Sequence, residues 1–286
     1  MLTLWFGISA GAVFALIAIG FNIVYIASGK LNFAQPEFLV LGMFVSYMVT
    51  SSLDWPVLAS IPIALVIGAA IGVLEERIAI RPLRARAHGE LVTTLGWSVV
   101  MAGTFMLIWG PEPLTVTGFG SDRMIDFAGG RTSINSIVIV VLAIVAAVGL
   151  HYWTRSTISG LANLATAEDA EAAQLRGINV RGLTIMAFAS AGGLLGALGP
   201  IVGPKTYAIA TLGALLVMPA FVSMAIGGYG SFIGVLLGAL VVGVAQSFSG
   251  RYLGAQYANL SLFVILMAVL LLRPQGLFGM RAERTV

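Results

Sequence analysis

The stretch TYAIATLGALLVMPAFVSMAIGGYGSFIGVLLGALVVGVAQSFSG, residues 206–250, contains no Asp, Glu, Lys, Arg or His. A bilayer core is about 30 Å thick, and a helix crosses it with about 20 apolar residues. These residues are therefore enough for two crossings, with a natural break at Gly227-Gly228. Inside hydrocarbon every backbone polar group must find an internal partner, which leaves the helix and the closed barrel. Barrel strands alternate polar and apolar side chains, and this run is continuously apolar.

The rest of the chain repeats the pattern. Charge-free runs cover residues 1–29, 38–53, 55–74, 91–111, 132–154, 182–204 and 252–272. Together with residues 206–250 they give eight or nine crossings. Composition agrees: of 286 residues, 59% are hydrophobic and 9% charged, and the mean hydropathy is +1.00. A soluble domain carries about 25% charged residues, so this chain could not cover a water-facing surface. The expected fold is an all-α polytopic membrane helical bundle in a single domain, residues 1–286. The first run lacks a positive flank and is too long for a cleavable signal, so it is expected to remain as the first span.

Cysteine is absent, which excludes disulfides, thiolate catalysis and Cys-ligated zinc. The net charge of +3 comes from loop arginines and not from an aromatic-interleaved basic patch, so membrane lipid and not nucleic acid is the expected contact. Lys30 and Lys205 are the only lysines, and neither lies in a P-loop. His88 and His151 are in no zinc-binding pattern, and no Ser/His/Asp set is recognisable. No catalytic residue, cofactor or metal ligand is expected.

Arginine placement sets the orientation. Residues 75–90 hold Arg77, Arg81, Arg84 and Arg86, residues 155–181 hold three arginines, and the tail holds Arg273, Arg281 and Arg284. The positive-inside rule makes these cytoplasmic, and alternation puts residues 112–131 outside. Arg81 and Arg84 read as anchors at the headgroups. Gly7 and Gly11, Gly68 and Gly72, and Gly234 and Gly238 are GxxxG pairs that let helix backbones approach. Gly227, Gly228 and Gly230 are a candidate hinge.

Polar residues are few and therefore informative. Asn32, Gln35 and Glu37 cluster between two apolar runs, either as a solvated turn or as a path lining. Asn22 and Tyr25 lie one turn apart on the first helix and suit an interhelical hydrogen bond. In the loop 155–181, Thr166-Ala167-Glu168-Asp169 precedes an Ala-rich segment with Glu171, Ala172, Ala173 and Arg176. This reads as a short helix with Thr166 as N-cap, an acidic first turn and Gly177 as its stop. Such a helix is either solvated decoration or a knob that docks in another subunit.

At this point the chain resembles the LivH-type permease subunit of branched-chain amino acid ABC importers. The resemblance runs nearly end to end, through Ser28-Gly29-Lys30-Leu31-Asn32-Phe33-Ala34-Gln35, Glu76 with Arg81-Pro82-Leu83-Arg84, Thr94-Leu95-Gly96, Glu171-Ala172-Ala173, Leu175-Arg176-Gly177-Ile178-Asn179-Val180, Ile226-Gly227-Gly228-Tyr229-Gly230-Ser231 and Arg273-Pro274-Gln275-Gly276-Leu277-Phe278-Gly279. Pro36 stands where the family usually has Gly. The resemblance implies an inner-membrane permease forming half of a translocation pathway. It implies that residues 166–177 are a coupling helix seated in an ATPase subunit, and that residues 32–37 lie near the path at a helix break. The implied partners are a LivM-like second permease, two ABC ATPase subunits that bind the ATP, and an external solute-binding protein. The competing reading is a secondary transporter or channel acting alone.

Because no cysteine exists, single cysteines report topology cleanly. A cysteine placed at position 86 or 160 should stay unlabelled by an impermeant thiol reagent added outside intact cells. Labelling from outside would invert the assignment.

Overall fold

The computed structural model describes residues 2–83, 89–118, 124–127, 130–273 and 276–278. Its elements are α1 (Leu2–Ser28), α2 (Gln35–Ser51), α3 (Val57–Glu75), α4 (Gly89–Trp109), β1 (Met124–Phe127), β2 (Gly130–Ser133), α5 (Ile134–Ser156), α6 (Ile158–Glu168), α7 (Ala170–Leu175), α8 (Val180–Thr206), α9 (Leu212–Gly227), α10 (Phe232–Tyr252) and α11 (Tyr257–Leu272). After α3 the helix widens into a π-turn, Glu76–Ile80. Every charge-free run became a helix, and residues 206–250 split at the expected place into α9 and α10. Among the described residues six helices are long and apolar enough to cross a membrane, and α9 and α11 are shorter apolar helices of 16 residues. With α2, of 17 residues, this is the expected bundle. One element was not expected: residues 124–127 and 130–133 pair as an antiparallel ribbon in the loop before α5.

The helices gather into two compact units. One contains residues 23–122 and 179–217. Its centre is the meeting of α2, α3 and α8, made through glycine. Gly42 of α2 lies on Gly196 and Gly199 of α8, and Gly68 and Gly72 of α3 lie on Gly192 and Phe188 of α8. A methyl group at any of these glycines would strike the backbone of the facing helix. Lipid tails supply no hydrophobic drive for helix association, so close backbone packing has to supply it. The GxxxG expectation for Gly68 and Gly72 is met, and α8 contributes small residues of its own. Helix α4 adds to α2 through aromatic rings, with Phe44 stacked on Trp109 at 4.8 Å and tilted on Phe105 at 5.3 Å.

The second unit contains residues 1–22, 123–178 and 218–286, with α10 at its centre. Gly7 and Gly11 of α1 pack on α10 near Ala239, Gly243 and Val244, while Gly234 and Gly238 of α10 pack on Gly227 and Ser223 of α9. The chain breaks between α9 and α10, where Gly228 and Gly230 have φ of +99° and +84°. The segment 276–278 returns to this break. The Leu277 N–H donates to Ile226 O at 2.8 Å and the Phe278 N–H to Gly227 O at 3.1 Å. These bonds satisfy carbonyls that the end of α9 leaves without helical partners. In the loop, Gly160 packs on the backbone of Trp153 and Thr154, so the exposed Ile158 is a better place for a topology cysteine than position 160.

These contacts separate two kinds of glycine. Gly68→Ala forces a methyl into the backbone of α8 and should destabilise the purified subunit by about 1–3 kcal/mol, the usual cost of overpacking. A methyl at Gly103 of α4 meets nothing within 4 Å, so Gly103→Ala should be neutral or stabilising by about 0.5–1 kcal/mol. Thermal unfolding of the two variants in detergent checks the contrast, and equal shifts would contradict the packing.

Candidate translocation and coupling sites

Helix α1 ends at Ser28, and α2 starts at Gln35 with Pro36 in its first turn. Proline there sacrifices no helical hydrogen bond, because the first N–H groups have no partner in the helix, which makes Pro36 a compatible departure from the family's usual glycine. The connecting residues fold inward. Asn32, Gln35 and Glu37 are fully buried, which rules out the solvated turn.

Asn32 organises this region with both ends of its amide. Its Oδ1 accepts from the Ala34 N–H at 3.0 Å, and its Nδ2 donates to Gln35 Oε1 at 3.0 Å and to Glu75 Oε2 at 2.8 Å. Glu37, a turn further on, accepts from the Ser98 hydroxyl of α4 at 3.0 Å, and its carboxyl lies against Gly213. A side chain at position 213 would occupy the space of that carboxyl. Asn32, Gln35 and Glu75 thus form one hydrogen-bonded cluster, and Glu37 pairs with Ser98.

Asn22 belongs to the other unit. It is buried, and its Oδ1 accepts from the Gly230 N–H at 2.8 Å, which ties α1 to the α9–α10 break. The structure therefore joins Asn22 to the candidate hinge glycines. Tyr25, one turn along, is half-buried.

Two members of the site escaped the sequence reading. In sequence Glu75 reads as the edge of a charged loop, but it is the last residue of α3 and fully buried. A signal existed: the buried positions of α3 are Ser60, Ala64, Gly68, Gly72 and Glu75, so Glu75 continues the small-residue stripe at helical spacing. Ser98 likewise falls on the inward stripe Thr94, Ser98, Met101 and Phe105 of α4. Arg81, read as a headgroup anchor, also has a protein partner, since its guanidinium donates to the buried Glu76 carboxyl at 3.2 Å. Arg84 and Arg86 lie outside the described residues. Lys30, after the helix break, pairs with Glu90 of α4 at 3.6 Å. Such half-exposed pairs contribute little, about 0–1 kcal/mol.

The loop between α5 and α8 folds as a two-helix hook, and here one expectation is corrected. Thr166 is not an N-cap. It lies inside α6, buried, with its hydroxyl donating to Ala162 O at 2.8 Å. Glu168 ends α6, and the cap of the second helix is Asp169, whose Oδ1 accepts from the N–H groups of Glu171 and Ala172 at 2.9 and 3.0 Å. Aspartate caps because the chain leaves the helix at Asp169, where its carboxylate reaches the open N–H groups and faces the positive end of the helix. Gly177 stops α7 as expected, with φ +87°. The Gly177 N–H donates to Gln174 O and the Ile178 N–H to Ala173 O, the paired bonds of a Schellman motif. Ala173 is buried beneath the helix, whereas Ala167 is half-buried and Glu168, Asp169, Glu171, Ala172, Leu175 and Arg176 are exposed.

The chain is similar to known permeases over most of its length. Residues 3–272 match the family described as "Branched-chain amino acid transport system / permease component". The high-affinity branched-chain amino acid transport system permease protein LivH of Salmonella typhimurium is 31% identical, with 96% of this chain and 93% of that protein covered. The corresponding permease protein BraD of Pseudomonas aeruginosa is 30% identical, with 96% and 94% covered. Among solved structures, a chain of PsaBC from Streptococcus pneumoniae in complex with Fab shares the fold, with a TM-score of 0.51 at 10% identity over 94% of this chain and 91% of that one. A multi-pass apolar bundle with two glycine-packed units and a capped hook between α5 and α8, matched nearly end to end by this profile and these relatives, belongs to the branched-chain amino acid transport permease family and is the permease subunit of an ABC importer.

Proposed function

We propose that this chain forms one half of a translocation pathway in an inner membrane, with its C-terminus in the cytoplasm, and moves branched-chain amino acids by alternating access. It is not itself an enzyme and holds no cofactor. Two partner ATPase subunits bind and hydrolyse ATP, a LivM-like permease supplies the other half, and an external binding protein delivers the solute. Asn32, Gln35 and Glu37, with Glu75 and Ser98, line the path at the break between α1 and α2. The break at Gly227, Gly228 and Gly230, held by Asn22, is a hinge, and Tyr25 lies on the same helix as Asn22.

One observation carries the coupling assignment. Helix α7 has only six residues, too few to persist by backbone bonding alone, yet side chain and backbone close both its ends. Leu175 stands 90% exposed on it, beside an acidic face. An apolar side chain so exposed on a loop that is polar enough to lie outside the hydrocarbon is suited to a socket in a partner. The Thr166 to Gly177 segment is thus the coupling element, with Ala172 and Leu175 presented to the ATPase and Ala173 holding the helix to its own hook.

This division within α7 is testable. Ala172→Trp and Leu175→Ala should leave membrane insertion intact while reducing co-purification of the ATPases and uptake about tenfold or more, whereas Glu112→Trp in the opposite loop should leave both near wild type. Normal ATPase capture and transport by both α7 variants would move the docking surface elsewhere, first to residues 75–90. The chain purified alone should show no ATP turnover, and the assembled complex should. Specific hydrolysis by the isolated subunit would refute the division of labour.

A further inference from the structure

We propose that Gln35 and Glu75, bridged by Asn32, form a recognition point for the ammonium and carboxylate groups of an α-amino acid. The proposal rests on the permease reading above and deepens it by assigning the polar end of the cargo to particular atoms.

The starting observation is a shortage of partners. Gln35 Nε2 and Glu75 Oε1 are buried without a hydrogen-bond partner among the described residues. Proteins leave few such groups, because a polar group moved unpaired from water into an apolar medium is costly. Their placement is not random. The other oxygen of each side chain, Gln35 Oε1 and Glu75 Oε2, accepts from the same nitrogen, Asn32 Nδ2, at 3.0 and 2.8 Å. One nitrogen therefore holds the amide and the carboxyl side by side. Their remaining ends are a donor and an acceptor, carried by two groups that share this bridge.

A donor and an acceptor held on one bridge complement a solute that carries both an acceptor and a donor. In an α-amino acid the carboxylate accepts from Gln35 Nε2, and the ammonium, one carbon away, donates to Glu75 Oε1. A carboxylic acid without the amine presents acceptors only and leaves Glu75 unmatched. Discrimination of this kind is strong, because it leaves a buried polar group unpaired. The cluster is covered in this conformation, with Asn32 and Glu75 0% and Gln35 1% exposed, so binding requires α2 or the end of α3 to move. The backbone is irregular at both places. The chain leaves helix before Asn32, and the π-turn Glu76–Ile80 follows Glu75 directly, and such turns are frequent at functional sites.

Two substitutions invert single atoms while keeping the bridge. Glu75→Gln retains an oxygen for Asn32 and turns the neighbouring acceptor into a donor. Gln35→Glu retains the oxygen for Asn32 and turns the donor into an acceptor. In the complete importer in proteoliposomes, with L-leucine as the probe and co-purification of the ATPases as the check on assembly, each should raise the leucine KM or lower uptake about tenfold or more, as expected for one lost charge-assisted hydrogen bond. Gln35→Met, which removes the donor without adding a carboxyl, should weaken uptake in the same sense and covers the case in which an inverted variant fails to assemble. In direct binding to the wild-type complex without its binding protein, 4-methylpentanoate should fail to compete with leucine. Assembled variants with wild-type KM and rate, or competition by 4-methylpentanoate equal to that of unlabelled leucine, would overturn the recognition point and leave the cluster as packing around water. Absence of ATP-driven leucine uptake by the wild-type complex would instead overturn the cargo reading on which the proposal rests.

Discussion

The backbone contact of α8 with α2 and α3 is the constraint on which the first unit depends. In hydrocarbon an apolar side chain gains nothing by leaving lipid for protein, so helices hold together through close approach of their backbones. Gly42, Gly68, Gly72, Gly192, Gly196 and Gly199 make that approach here. The polar cluster follows from it. Once the Gly68 and Gly72 face of α3 is pressed on α8, the next position on that face, Glu75, is carried inside with it. A carboxyl delivered there must find donors, and Asn32 supplies one. The same glycine stripe that builds the fold therefore determines where the polar chemistry sits.

The hook formed by α6 and α7 obeys different physics. It lies in a stretch with enough polar residues to be solvated, where water competes for every hydrogen bond and a helix of six residues is not stable by propagation. Its integrity comes from its ends, through the Asp169 carboxylate at one and the Gly177 turn at the other. A short helix fixed in this way is stiff without being large. Stiffness is what the proposed coupling role requires, since a frayed helix would absorb a displacement that a fixed one passes on.

The two units share an economy of polar groups. Among the described residues, each has buried amides that meet a break in a helix: Asn32 and Gln35 where α1 gives way to α2, and Asn22 against Gly230 where α9 gives way to α10. Breaks expose backbone groups that the helix would otherwise pair, and in lipid they are tolerated only where protein re-satisfies them. At these two breaks discontinuity and polar side chains occur together. The places where the chain can bend are also the places that carry chemistry.

Much of this was legible along the chain. Long charge-free runs marked the class and the apolar helices, because bilayer thickness sets a length and the exclusion of charge marks it. The glycine spacings announced which faces would pack, and Gly177 announced the end of α7, because a left-handed residue is needed there. What only the tertiary structure decided was the fate of polar residues at helix ends. Glu75 reads as loop because it adjoins Glu76 and Arg77, and Thr166 reads as a cap because of its spacing from the acidic residues. Whether such a residue faces water or protein depends on how far its helix runs and which neighbour covers it. Hydropathy along one chain contains the first only approximately and the second not at all, since burial is produced by partners such as Asn32 and Ser98 that lie tens of residues away in sequence and meet only when the helices pack.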